Sequence, residues 1–407
     1  MTVTEFATTP PAHRMRVPRP APSRRRGPRL PVPAAVGALV VLLSGLAVVN
    51  AGVTGALGAD GVVTLLVFLV AVWMWIFAPV DDTYVALGAA LALVIAGPVD
   101  TETFTRTLGD QIIWLLVGSF VIAAAVTASG LSSRVAARVL VLARTPRHLV
   151  HAVTATLLLT TFAVPSTSGR AALALPVFLA LAAALRHRRS LVLTLALVFP
   201  AVILFSAVGS LLGAGAHLIT SEIVRTATGA GFDFLQWMLL GLPLAVVWSH
   251  LAAEIALSLF TDRAERRTPL ALTRTDLGAD TGPLTTAQRR VTAVLVVVVV
   301  AWCTEPLHGI DPAIVAMTGA LVAAAPAVGA TTLPAAVKTV PWSLLLFMAA
   351  TLCLGVALTG SGAAQWLADS VFGPLGGLGS SAAAASAVSV VTAAAASFLS
   401  TPRPGSA

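Results

Sequence analysis

Charge is what this sequence of 407 residues has least of: Asp, Glu, Lys and Arg make up 10% of it, against 57% hydrophobic residues. Soluble domains carry about a quarter charged residues, so a soluble globule tethered by one anchor is excluded. Cysteine is nearly absent. Cys303 and Cys353 both lie inside apolar runs, which excludes a disulfide scaffold and leaves the redox compartment undetermined. No cluster of acids, bases or metal ligands gathers at the end of an apolar run, as a membrane enzyme acting on lipid or carrier substrates would require. The chain is therefore not expected to be an enzyme. The formal charge of +8 would suit nucleic acid, but the arginines sit in short segments between apolar runs, where they act as topology signals. Membrane lipids, and not nucleic acid, are the expected surroundings. A cleavable signal peptide is the competing reading of the N-terminus and is not expected, because the apolar stretch from Val32 to Val49 is followed by no clean small-x-small site and by many further apolar runs.

What is present is apolar sequence in span-sized pieces. Runs fall at about 33–50, 61–80, 83–99, 111–129, 148–164, 170–185, 190–208, 234–260, 291–307, 312–326, 342–360 and 379–399. At about 20 residues per crossing they give an all-α polytopic membrane protein of roughly ten crossings or half-crossings. Residues 1–32, rich in Pro and Arg, read as a disordered basic tail on the cytoplasmic side. Residues 33–60 read as a first span and outer loop, 61–260 and 291–407 as two repeats, and 261–290 as a cytoplasmic loop between them.

The repeats are visible in the order of their rarer residues. Trp75 and Pro79 match Trp302 and Pro306 at a separation of 227, Ala86 matches Ala316 at 230, Ser129 and Gly130 match Ser361 and Gly362 at 232, and Ser166 and Thr167 match Ser400 and Thr401 at 234. The separation grows in one direction, as small loop insertions would make it. After Gly130 the first copy carries Arg134, Arg138, Arg144 and Arg147, whereas the counterpart after Gly362 has no Arg or Lys and carries Asp369. The positive-inside rule puts the two segments on opposite sides of the membrane, so the repeats are expected to be inverted, with a cytoplasmic N-terminus.

One apolar region is interrupted by PSTSGR, residues 165–170. The flanking runs, 148–164 and 170–185, are too short or too broken to cross singly and together read as a re-entrant helical hairpin over 148–185. At its tip, free carbonyls and hydroxyls suit a hard cation such as sodium, while amides at the N-terminus of the returning helix suit an anion. The expected substrate-binding residues are Ser166, Thr167, Ser168, Gly169 and Arg170, with Ser400 and Thr401 from the second copy. The expected cation-binding residues are Ser166, Thr167, Gly209, Gly213 and Thr401. A snorkelling or carboxylate-paired Arg170 is the bland alternative, and an anionic partner is expected either way.

The amphipathic arm, the hydroxyl-rich tip leading into RAALALPV, and the later GSLLGAGAHLI followed by ATGAGFDFLQWMLLGLPL resemble the divalent anion/sodium symporters of the ion transporter superfamily, from about Gly61 onward. The resemblance implies the inverted-repeat ion-transporter fold and a homodimer in which a transport domain moves like an elevator against a scaffold. It also implies a small anionic substrate, of dicarboxylate, citrate or sulfate type, bound with sodium between two hairpin tips. That family's Ser-Asn-Thr triplet falls on Ser166, Thr167 and Ser168 and again on Ser400, Thr401 and Pro402, so the asparagine is missing from both copies. Its glycine-rich break falls on Gly209, Ser210, Gly213, Ala214, Gly215, Ala216 and His217. The chain stops at FLSTPRPGSA, where that family continues through a returning helix, so a truncated product is expected.

The reading is thus a secondary active symporter for a small anion, a di- or tricarboxylate, coupled to sodium or protons, in the cell membrane. The alternatives are an oxyanion or arsenite-type permease, a cation/proton antiporter of the same superfamily, or a nonfunctional remnant. Asp81, Asp82 and Asp311 read as helix N-caps, Glu222 and Arg225 as a surface pair, and Trp73, Trp75, Trp302 and Trp342 as interfacial anchors. His250 and Glu254, four apart on one helical face, read as a structural pair, with a proton relay as the alternative.

Overall fold

The computed structural model describes residues 32–132, 134–135, 143–270, 283–326 and 330–372. The N-terminal tail and the whole second tip, with Ser400 and Thr401, lie outside the described residues. Within them all regular structure is helical. In chain order the helices are α1 (Val32–Val53), α2 (Ala59–Phe77), α3 (Asp82–Ala96), α4 (Thr101–Leu108), α5 (Gln111–Ala128), α6 (Pro146–Thr160), α7 (Thr167–Ala184), α8 (Arg189–Ala207), α9 (Gly215–Thr228), α10 (Phe234–Phe260), α11 (Arg263–Arg267), α12 (Thr286–Cys303), α13 (Glu305–His308), α14 (Pro312–Ala324), α15 (Leu333–Val337), α16 (Trp342–Gly360) and α17 (Ala363–Phe372). A 3-10 turn, Leu211–Gly213, separates α8 from α9. Among the described residues seven stretches are long and apolar enough to cross a membrane, so the chain is an all-α, multi-pass membrane protein.

Two local constructions occur twice, at the positions that the sequence aligns. Asp81 caps α3 by accepting from the amides of Thr83 and Tyr84, and Asp311 caps α14 by accepting from Ala313. In each case a tryptophan from the preceding long helix donates its indole N–H to the first carbonyl of the capped helix: Trp75 to Asp82 and Trp302 to Pro312, both at 3.1 Å. Further on, α5 and α16 end identically. Ser129 and Ser361 are the C-caps, and Gly130 (φ +68) and Gly362 (φ +73) follow in the left-handed region that favours glycine.

The doubled elements pack crosswise. Helix α5 lies chiefly against α14, and α16 against α3. Both contacts rest on small residues, which let backbones approach where lipid supplies no hydrophobic drive for helix association. A Cβ on Gly118 of α5 would stand 2.7 Å from the carbonyl carbon of Ala316 on α14. At the aligned positions of the other pair, Ala86 and Ala350 are both fully buried. The short α3 and α14 span about 20 Å each at 1.5 Å per residue, less than a bilayer core, and reside in these crossings.

A second apolar cluster holds α6, α7, α8 and α10 together through Leu149, Val153, Leu181, Leu195, Val202 and Leu257. Three of its helices carry an internal proline: Pro176 in α7, Pro200 in α8 and Pro243 in α10. Each proline deprives the carbonyl four residues earlier of its helical donor.

Two side chains sit where the sequence does not place them. Trp302 is 3% exposed, packed 5.2 Å from Phe234 inside the core instead of anchoring at a lipid interface, because its indole is committed to the cap of α14. Arg134 is buried as well and donates to Gln288 of α12, so it tethers two segments. Gln288 serves three ends at once: its amide is part of the capping box of α12, and its side chain also donates to Ser129 O.

Filling the closest helix crossing should be felt at once. Gly118→Val is expected to destabilise the protein by about 1–3 kcal/mol through overpacking. Gly88→Ala on α3, where a new Cβ meets nothing within 4 Å, should be neutral or stabilising by up to about 1 kcal/mol. Thermal unfolding midpoints in detergent check both; equal midpoints for the two variants would contradict the crossing.

Candidate anion and cation site

The break at 161–166 is built by a helix that tightens before it stops. After α6 the amides of Thr161, Phe162 and Ala163 turn back three residues, to Leu158, Leu159 and Thr160, and Val164 bonds to Thr160 as well. Pro165 has no amide, and Ser166 is extended (φ −159, ψ 130) and caps α7, its hydroxyl accepting from the amide of Gly169 at 3.2 Å. The amides of Thr167 and Ser168 meet no acceptor among the described residues. They are the free donors at the positive end of α7. A Cβ at Gly169 would come within 3.1 Å of Val164, so the chain doubles back closely here.

This end of α7 opens on a cavity of about 550 Å³ bounded by α5, α7 and α15. Ser166, Ser168 and Gly169 line it, with Thr127, Thr331 and Thr339 as further hydroxyls in a mostly apolar wall. Ser168 is exposed to it, whereas Ser166 and Thr167 are half-buried. Hydroxyls, free amides and an apolar surround form a setting in which a small anion can be desolvated and held.

Arg170 is not part of that wall. Its side chain is 1% exposed and turns to the last turn of α8, donating to Ser206 Oγ at 2.8 Å and to the Ile203 carbonyl at 2.6 Å. The carboxylate or anionic partner expected from the sequence is replaced by a hydroxyl and a carbonyl at the negative end of a helix, which accommodates a cation without a full counter-charge. Arg170 therefore acts behind the tip, fixing α7 to α8.

The glycine break is split between two roles. Gly213 lies directly against the turn: a Cβ there would fall 2.0 Å from the Ala207 carbonyl and 2.9 Å from Thr161 Oγ1. Gly209 instead packs against Ala245 of α10, away from the turn. His217 donates its Nδ1–H to the Ser210 carbonyl, 3.1 Å away, and packs against Trp237 at 4.9 Å. Thr161 was not singled out by the sequence, although it is the second of two threonines before the break. It is 1% exposed and its hydroxyl is without a partner among the described residues. It joins Ser119 and Leu212 around a void of about 10 Å³.

A separate cavity of about 240 Å³ carries more charge, with Glu222, Arg225, Asp233, Glu305 and Asp311 on its wall; it reaches Leu211 and Leu212 of the glycine break but not the turn at 161–166. Glu222 and Arg225 form the expected pair, at 2.6 and 2.8 Å. Glu305, on the short α13, has its carboxyl pushed above the usual carboxylate range, first by burial and then by Asp233 and Asp311.

Residues 35–402 match the family described as "Sodium:sulfate symporter transmembrane region". A protein of Cupriavidus necator described as "Membrane protein" is 27% identical over 312 residues, which covers 72% of this chain and 57% of that relative. The chain thus spans little more than half the length of the relative it matches.

Because Glu305 holds its proton more tightly in the native state than in the unfolded chain, the protein should lose stability as pH rises from the ordinary glutamate range through the raised value. Glu305→Gln is expected to raise the unfolding midpoint at about pH 7 and to lose that gain below about pH 4.5, where the carboxyl is neutral in both states. A midpoint difference that is the same at both pH values would refute the assignment.

Proposed function

The chain belongs to the sodium:sulfate symporter transmembrane family, and from that premise we propose that it is a secondary active transporter that carries a small anion, a di- or tricarboxylate, across the cell membrane with sodium. The observation that carries this reading is the capped but unsaturated start of α7: two free amides and the hydroxyls of Ser166 and Ser168 at a cavity wide enough for a small acid. In this reading Ser166, Thr167, Ser168 and Gly169 bind the substrate, while Arg170 holds them in place. The cation takes oxygens at the turn, those of Ser166, Thr167 and Thr161, against the close backbone at Gly213. Gly209 contributes through the fold of the break.

The twin caps, twin indole bonds and crosswise helix pairs support two repeats, 61–260 and 291–407; their inversion, a cytoplasmic N-terminus and a re-entrant hairpin over 148–185 are proposed from the placement of arginines and the interrupted apolar run in the sequence. Ser400 and Thr401 are proposed to complete the substrate and cation sites from the second tip, and a homodimer with an elevator motion follows from the family reading. Sulfate is the second reading. It is favoured by the absence of a carboxamide in both tips, since hydroxyls and amides alone suffice for an oxyanion.

Full-length protein in proteoliposomes, tested with labelled succinate, citrate and sulfate, should accumulate one of them when a sodium gradient is imposed. Uptake that ignores sodium and follows a pH gradient would overturn the coupling, and failure with all three anions in oriented, folded protein would overturn the substrate class. Ser168→Ala, whose hydroxyl faces the cavity, should raise KM with an unchanged unfolding midpoint. Ser166→Ala should weaken both, with about 1 kcal/mol of stability lost from the cap.

A further inference from the structure

On α10 the spacing of His250 and Glu254 suggests a direct pair, but a third side chain stands between them. His151 of α6 places Nε2 2.6 Å from Glu254 Oε1 and Nδ1 2.8 Å from His250 Nδ1. The two rings lie 5.0 Å apart, and Arg147, one turn before His151, donates to the same Glu254 oxygen at 2.6 Å. Four side chains from two helices thus form one chain of bonds: Arg147, Glu254, His151, His250.

The proton count of this chain follows from its geometry. Glu254 requires a donor, so His151 Nε2 carries a hydrogen. The two Nδ1 atoms then share one hydrogen, because each bond has one donor and one acceptor. With both rings neutral, His250 donates and His151 accepts. With one added proton His151 becomes an imidazolium, donating to Glu254 on one side and to His250 on the other, and every bond survives. A second added proton sets N–H against N–H and places two positive rings in contact, which breaks the bond between His151 and His250 and leaves the two bonds to Glu254. We propose that His151, His250 and Glu254 form a proton-binding site that accepts one proton with its bonds intact and, on taking a second, loses the bond between its rings, so that the polar contact of α6 with α10 runs through Glu254 alone.

The elements packed against α6 and α10 carry other charges. Helix α6 also carries His148, α7 carries Arg170, α8 begins with Arg189, and α12 brings Arg289 and Arg290. On α11 stand Arg263, Glu265, Arg266 and Arg267. Arg170 is held by Ser206 and Ile203, Glu265 accepts from Ser190, and Arg266 donates to Thr261. The bonding partners of the carboxylate are the cluster's own members, Arg147 and His151. Leu149, Val150, Val153, Ala253 and Leu257 belong to one buried apolar cluster, so any loosening is confined to the start of α6. The site does not depend on the transport reading, since protons and amides can be followed without substrate.

Full-length protein labelled with 15N-histidine in lipid nanodiscs, titrated from about pH 8 to about pH 5, tests the site directly. His151 and His250 should titrate together in two macroscopic steps separated by more than about one pH unit. Amide exchange over residues 147–151 should accelerate below the lower step. His250→Gln should leave a single step at His151, and Glu254→Gln should move the upper step to lower pH. Two rings titrating independently near about 6.5 would overturn the proposal, as would exchange that does not change across the lower step. The wild-type titration decides the matter even if a variant does not fold.

Discussion

A buried guanidinium fastened to the end of one helix holds the interrupted region of this protein in shape. Arg170 sits at the start of α7, where the helix dipole repels a cation, and is retained by the opposite pole of α8 through Ser206 and Ile203. Hydrogen bonds to a charged donor are worth about 1.5–3 kcal/mol each, enough to set the angle at which α7 leaves the turn. That angle in turn decides which groups face the cavity. With the long side chain turned back onto α8, the wall is left to Ser166, Ser168 and two bare amides. The positive charge still acts at short range through a medium of low dielectric, yet it does not compete for the place where a solute would sit.

Around this bundle the crosswise pairs form the stiffer part. Gly118 against Ala316, and Ala86 with Ala350 in the sister crossing, bring backbones together without long side chains that could hop between rotamers. Leu211, Leu212 and Leu218, next to the glycine break, belong to the apolar cluster of α5 and α14, whereas the helices before it belong to the other cluster. The break is thus a junction of two packing units, and Gly213 is the point where one unit touches the turn of the other.

Much of this architecture could be read in the sequence because it depends on local rules. Asp81, Asp311 and Pro312 stand at helix starts as their side chains dictate, and the repeated Trp, Ser and Gly positions recur as the same bonds and the same left-handed turns. The family was legible from the tip and the glycine-rich stretch. What escaped the sequence depends on where long side chains point once helices pack. Trp302 resembles any membrane-edge tryptophan until α14 offers it a carbonyl. Arg134 counts as a topology charge, and its tether forms only when Gln288 arrives from 154 residues away. His151 carries no motif at all, and its meaning comes from α10, about 100 residues downstream. Thr161 had a faint signal in its neighbour Thr160, but only the approach of Gly213 explains why its hydroxyl is left over.

The proline in the middle of α7 has an effect beyond its own position. Pro176 removes the donor that Ala172 would use, and Ala172 lies on the wall of the large cavity, one turn below the free amides. The same helix therefore has free amides at its start and a missing bond one turn further on. A helix short of one such bond bends more readily than an unbroken one, so the run of α7 past the cavity is set by what it packs against and not by its own ladder alone.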